Sequence, residues 1–174
     1  MKRVLCTVAM LVLATAAFAG SELTPQQAME KAMNCPVCSA WGVEPALGPT
    51  IRYNVATTKT GFIEVMQTSN EAMKPAFDKA AAECEKRAAG IATMNAEEKA
   101  KLCPFCVAHM TIDRKDVTFD DAQTALGMVR VASSTTPEGI KALHEYAAAC
   151  QKQSDLMQQA AKDMQSKGVQ KAKM

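Results

Sequence analysis

The chain has 174 residues, of which 20 are basic and 18 acidic, and only 5% are aromatic. Removing Lys2 and Arg3 with a leader leaves 18 of each sign, interspersed along the chain. There is then no basic field with which to hold nucleic acid. The remaining length suits one compact domain or two small halves that share a core, and the abundance of Ala and Met predicts helices packed through small side chains.

Residues 1–19, MKRVLCTVAMLVLATAAFA, place Lys2 and Arg3 ahead of an apolar run and end in Ala17-Phe18-Ala19. This is the pattern of a secretory signal cleaved before Gly20. The run is shorter than the roughly 20 apolar residues of a membrane span, so the expectation is an exported chain, periplasmic or secreted, with no membrane anchor after cleavage. Cys6 leaves with the signal. Six cysteines remain, Cys35, Cys38, Cys84, Cys103, Cys106 and Cys150, and an even number in an exported chain makes disulfides the default.

The rest of the chain reads as a duplication. Gln27–Cys38 (QAMEKAMNCPVC) over Asn95–Cys106 (NAEEKAKLCPFC) gives seven identities in twelve positions, both cysteines included. Further on, Tyr53–Lys86 lies over Phe119–Lys152 at a shift of 66 and pairs Gly61 with Gly127 and Cys84 with Cys150. The boundaries expected are 20–90 for the first repeat, 91–166 for the second and 167–174 for a basic tail.

Each repeat carries the same elements in order. A helix opens at Thr24-Pro25-Gln26-Gln27, with Thr as cap, Pro at the first position and Gln three after the cap; its counterpart opens at Asn95-Ala96-Glu97-Glu98. Both run into CPxC. Two-residue alternation follows, Ile51, Tyr53 and Val55, then Ile63 and Val65 after a turn ending at Gly61; the second copy has Val117 and Phe119, then Val129 and Val131 after Gly127. This indicates hairpins. The last element is a helix, about 71–89 with Gly90 as its stop and about 137–165 with Gly168 beyond. Pro75 fits poorly inside the first of these and predicts a later start or a kink. Two hairpins would form a four-stranded antiparallel sheet packed with helices, an α+β fold.

CPVC at 35–38 and CPFC at 103–106 carry the chemistry. Proline disfavours helix in the residue before it and suits a first helical position itself, so each first cysteine should sit at a helical N-terminus. There the exposed amides and the dipole favour thiolate. The second cysteine, three residues on, shares the face. These four-residue words resemble the active-site motifs of glutaredoxins and exported thiol-disulfide oxidoreductases, which implies reversible disulfide chemistry. Both copies follow helical sequence where the thioredoxin fold supplies a strand, so that chemistry would need a different scaffold. The words also resemble zinc knuckles, where two CPxC turns close a tetrahedral site, which implies one four-thiolate centre shared by the halves.

Soft thiolates suit Cu or Zn, and Met33, His109 and Met110 stand near the motifs. His109 completes CPFCVAH, but Trp41 takes its place in CPVCSAW, so it is a weak ligand candidate. Cys84 and Cys150 share helix faces with apolar residues and read as buried free cysteines, a structural disulfide or a third thiol for each motif. Treating the halves alike reduces the fifteen complete pairings of six cysteines to seven. The most local joins Cys35 to Cys38, Cys103 to Cys106 and Cys84 to Cys150. No histidine follows the second cysteine of either motif, which excludes a haem attachment word. No nucleotide or flavin site is apparent, and the acidic residues read as solvated helix faces. The sequence therefore points first to an exported soft-metal-binding protein, then to thiol-disulfide exchange with a thiol partner protein, then to a disulfide-stabilised structural or interaction module. The paired motifs predict closure within one chain or on a second copy as a homodimer.

Overall fold

The computed structural model describes residues 22–112 and 114–171. The segment expected to be a secretory signal, with Cys6, and the last three residues lie outside them. The α+β expectation holds: five α-helices accompany a four-stranded antiparallel sheet of order β1-β2-β4-β3. The helices are α1 (Pro25–Asn34), α2 (Lys74–Ala88), α3 (Ala96–Ala100), α4 (Pro104–Ile112) and α5 (Pro137–Lys171); the strands are β1 (Ile51–Thr57), β2 (Gly61–Thr68), β3 (Val117–Gln123) and β4 (Gly127–Ser134).

Both predicted capping boxes form. The Thr24 hydroxyl accepts from the Gln27 amide and the Gln27 side chain accepts from the Thr24 amide; Asn95 and Glu98 do the same. Such a cap stabilises a helix by about 1 kcal/mol. Pro75 sits at the second position of α2, which starts three residues later than the expected 71 because a short 3-10 turn, Glu71–Met73, precedes it. The proline thus lies in the first turn, where a missing N–H costs least. At the other end, α5 continues to Lys171 and includes Gly168, so the expected helix stop is absent and most of the basic tail is helical backbone.

The central pair is β2 with β4. Gly61 faces Ser133, Gln67 faces Gly127, and the middle pair is Glu64 with Arg130. Residues 66 apart therefore occupy corresponding places on either side of that middle pair. Both hairpin glycines are sterically required: a Cβ on Gly61 would meet the Ala132 carbonyl oxygen, and one on Gly127 the Met66 carbonyl oxygen.

On β1 and β3 the alternating Ile51, Tyr53, Val55 and Val117 meet the helix-packed core as expected, but on β2 and β4 the phase is opposite to the one the alternation suggested. Ile63 and Val131 are 39% and 40% exposed on the outer face, whereas Phe62, Glu64 and Met66 of β2 point inward with Ala132, Arg130 and Met128 of β4. Both faces of these strands carry apolar side chains, so period two is present in either phase and does not itself select the core side. On the inner face, Leu143, Tyr146, Ala147 and Cys150 of α5 pack with Phe62, Ala132, and Ala108 and Ile112 of α4. Phe62 stacks on Tyr146 with ring centroids 4.9 Å apart. At the opposite end, Phe77 and Ala80 of α2 pack with Leu47, Met66, Met128 and Trp41. Full burial of residues such as Phe62 or Leu143 contributes about 1.5–3 kcal/mol each.

Because a methyl group at residue 127 has backbone in its way, Gly127→Ala is expected to lower unfolding free energy by about 1–3 kcal/mol. Gly48 has open space around it, so Gly48→Ala should change stability by less than about 0.5 kcal/mol. Urea unfolding of the two variants checks both; equal effects would contradict the close approach of β2 and β4.

Candidate metal centre

The two CPxC turns reach one point by different routes. In the second motif, α4 begins at Pro104 with Cys103 just before it, as expected. In the first, Cys35 ends α1 and a turn leads into a 3-10 segment, Cys38–Gly42, rather than an α-helix. Locally the turns are alike. The Cys35 carbonyl accepts from the Ser39 amide and the Cys103 carbonyl from the Val107 amide, both at 3.0 Å. Each second cysteine also directs its backbone N–H at the first sulfur, Cys38 toward Cys35 and Cys106 toward Cys103. Arg87 of α2 fixes the first turn, donating to the Pro36 carbonyl at 3.3 Å and the Ser39 hydroxyl at 2.9 Å while pairing with Glu83. In the second, α4 packs along α5.

The turns face each other. Cys35 Sγ lies 3.6 Å from Cys106 Sγ, and Cys38 Sγ lies 3.3 Å from Cys103 and 3.4 Å from Cys106; within the second motif Cys103 and Cys106 are 3.9 Å apart. All four sulfurs lie within 4.8 Å of one another. Metal–sulfur bonds of about 2.3 Å put the sulfurs of a tetrahedron about 3.8 Å apart. The four thiols are thus spaced to bind a single metal ion.

No two of the six described cysteines lie at disulfide bonding distance. The pairings that the sequence left open, the most local one included, are therefore absent among these cysteines, and the closest approaches run between the motifs. Cys35 and Cys103 are fully buried, and Val37, Ile91 and Leu102 surround them. Ionisation in this shell is uneven. Interaction with Cys103 and Cys106 holds Cys35 below its ordinary range, and Cys106 does the same for Cys103; Cys38 and Cys106 are pushed up, chiefly by Cys103. Without a cation, adjacent thiolates raise the cost of ionising the remaining thiols.

The other candidates separate. Cys84 packs against the thiol core, and interaction with Cys38, then Trp41, brings it down to about 7. Cys150 lies instead in the Phe62 core, pushed up to about 12 by burial. His109 is outside the four-thiol group; its ring stacks with Phe119 at 6.4 Å and meets Tyr146 edge-on at 6.2 Å.

An open cavity of about 1940 Å³ lies beside the thiols, walled in part by Met29, Met33, Met66, Met128 and Phe105. At its sheet wall is a polar cluster that sequence reasoning missed. Glu64 is 6% exposed and accepts from the hydroxyls of Tyr53 at 3.1 Å and Tyr146 at 3.2 Å, near Arg130, which pairs with Asp121 at 2.7 Å. This glutamate is not on a solvated helix face. Its place in β2 between Phe62 and Met66 gave no separate signal, because Ile63 and Val65 make the opposite face equally apolar.

Burial raises the Glu64 pKa, with Arg130 opposing. A folded value above the unfolded one means that the folded chain binds more protons. Its contribution is fully present below the unfolded value and is lost as pH rises through the folded one. The unfolding free energy of the native chain, measured against Glu64→Gln, should fall across that window by at most about 1.4 kcal/mol per pH unit. A constant difference across the titration would contradict it. No family model, curated protein or solved structure matches this chain.

Proposed function

We propose that this chain is an exported soft-metal-binding protein that holds one Zn or Cu ion on Cys35, Cys38, Cys103 and Cys106, and that its two CPxC turns are copies within a tandem repeat. The observation that carries the reading is the spacing of the four sulfurs, 3.3–3.9 Å across the measured contacts and close to the edge of a metal–thiolate tetrahedron. All four ligands come from one chain, so the site is complete without a second copy.

The surroundings support the same reading. Amides directed at Cys35 and Cys103 favour their thiolates, and Arg87 holds the first turn in place. The apolar shell keeps water from the Cys35 and Cys103 sulfurs, which are fully buried. Export would bring these thiols into an oxidising compartment, where a bound ion occupies the lone pairs through which they would otherwise form disulfides. The first role of the metal is then to join two turns from opposite halves of the sequence.

Protein purified anaerobically is expected to bind one ion per chain, and Co(II) in its place should show the intense visible bands of tetrahedral thiolate coordination. Cys35→Ser or Cys106→Ser should weaken binding by more than about 100-fold, beyond the 10- to 100-fold that loss of a supporting residue costs. Metal at 1,000 times its Kd should add about 4 kcal/mol to unfolding free energy. A chain that binds no metal and has its six cysteines paired in disulfides by intact mass would overturn the reading in favour of thiol-disulfide exchange or a structural module.

A further inference from the structure

The four candidate ligands are not equally accessible. Cys38 and Cys106 form part of the cavity wall, whereas Cys35 and Cys103 are fully buried and do not contribute to it. A third thiol on that wall is Cys84 of α2, which packs against the thiol core alongside Cys38. Its counterpart at a shift of 66, Cys150, is fully buried in the Phe62 core. Two cysteines at matching places in the sequence therefore have different surroundings, and Cys84 is the one placed beside the proposed centre.

A tetrahedral site closed by four protein thiolates has no vacant position for an incoming ligand. Release by simple dissociation would break a metal–sulfur bond with nothing to replace it. A fifth thiol already beside one of the ligands removes that difficulty, because its effective concentration at the metal is far above that of any free thiol.

We propose that Cys84 is an exchange ligand through which the metal enters and leaves from the cavity. This rests on the four-thiolate reading above. In the exchange step the Cys84 sulfur gives up its proton and bonds to the metal; the Cys38–metal bond breaks, and the Cys38 thiolate takes up a proton. Sulfur and metal oxidation states do not change. The ion, now held at the cavity wall, passes to a low-molecular-weight thiol, or arrives from one by the reverse sequence. The cavity exceeds the 300–1,000 Å³ usual for small-molecule sites, so a thiol-complexed ion fits within it.

The test uses zinc-loaded full-length protein and the chromogenic chelator 4-(2-pyridylazo)resorcinol, with and without glutathione. Cys84→Ser is expected to retain one zinc per chain with unchanged equilibrium affinity, while transfer to the chelator slows by about tenfold or more. Iodoacetamide treatment of the loaded native protein should label Cys84 once per chain and leave Cys150 unlabelled. The labelled protein should show the same slowing, a measurement that needs no folded variant. Equal transfer rates in all three forms would overturn the exchange role and leave the four-thiolate site intact. So would a folded Cys84→Ser protein that has lost its zinc, which would make Cys84 an equilibrium ligand. A native chain that binds no zinc would defeat the four-thiolate reading itself.

Discussion

Four thiols from two distant turns approach within 4.8 Å of one another in an apolar shell. That arrangement is costly if the sulfurs ionise without a cation and gains little if they remain protonated, because S–H is a weak donor. A metal ion resolves the conflict, since each thiolate it accepts is neutralised where it stands. A disulfide would resolve it differently, by drawing two sulfurs to about 2.05 Å, and the contacts observed exceed that by more than an ångström.

The fold presents the two turns to each other. Pairing of β2 with β4 joins the hairpins into one sheet, and α5 crosses its inner face in contact with α4. The buried Gln153 of α5 also donates to the Ala28 carbonyl of α1 at 3.3 Å. The helices preceding the motifs differ in length and the segments after them differ in kind, yet both turns retain the same carbonyl-to-amide bond and the same amide directed at sulfur. Geometry at the sulfurs is therefore set within each CPxC turn, while helix packing sets the distance between turns.

Between the Phe62 and Phe77 ends of the inner face, the sheet offers Glu64 and Arg130 in place of apolar side chains. A solid core there would bury a charged pair at considerable cost. Glu64 is instead satisfied by the Tyr53 and Tyr146 hydroxyls, and the cavity beside the row gives Cys38, Cys84 and Cys106 a common opening. The same irregularity that costs the sheet face some packing provides access to the thiols.

Much of this was legible in order along the chain. Proline after the first cysteine, the two capping boxes and the glycine-bearing turns are local signals, and each describes a conformation set within a few residues. The repeated motif also singled out four cysteines as the shared unit and left His109 a weak ligand candidate. Three features depended on tertiary structure. Phase on β2 and β4 was ambiguous because both faces are apolar, and only helix packing placed Glu64 inside. Cys84 and Cys150 share a sequence pattern, but α2 lies against the thiols while the Cys150 segment of α5 lies against Phe62. Finally, the meeting of CPVC with CPFC depends on contacts across some 70 residues of chain, and local propensity carries no information about that separation. The amino-acid sequence by itself determined which sulfurs form the paired motifs and how each pair is held; the packing of the chain on one sheet decided that the pairs face each other, because distance between turns is a property of the core and not of either turn.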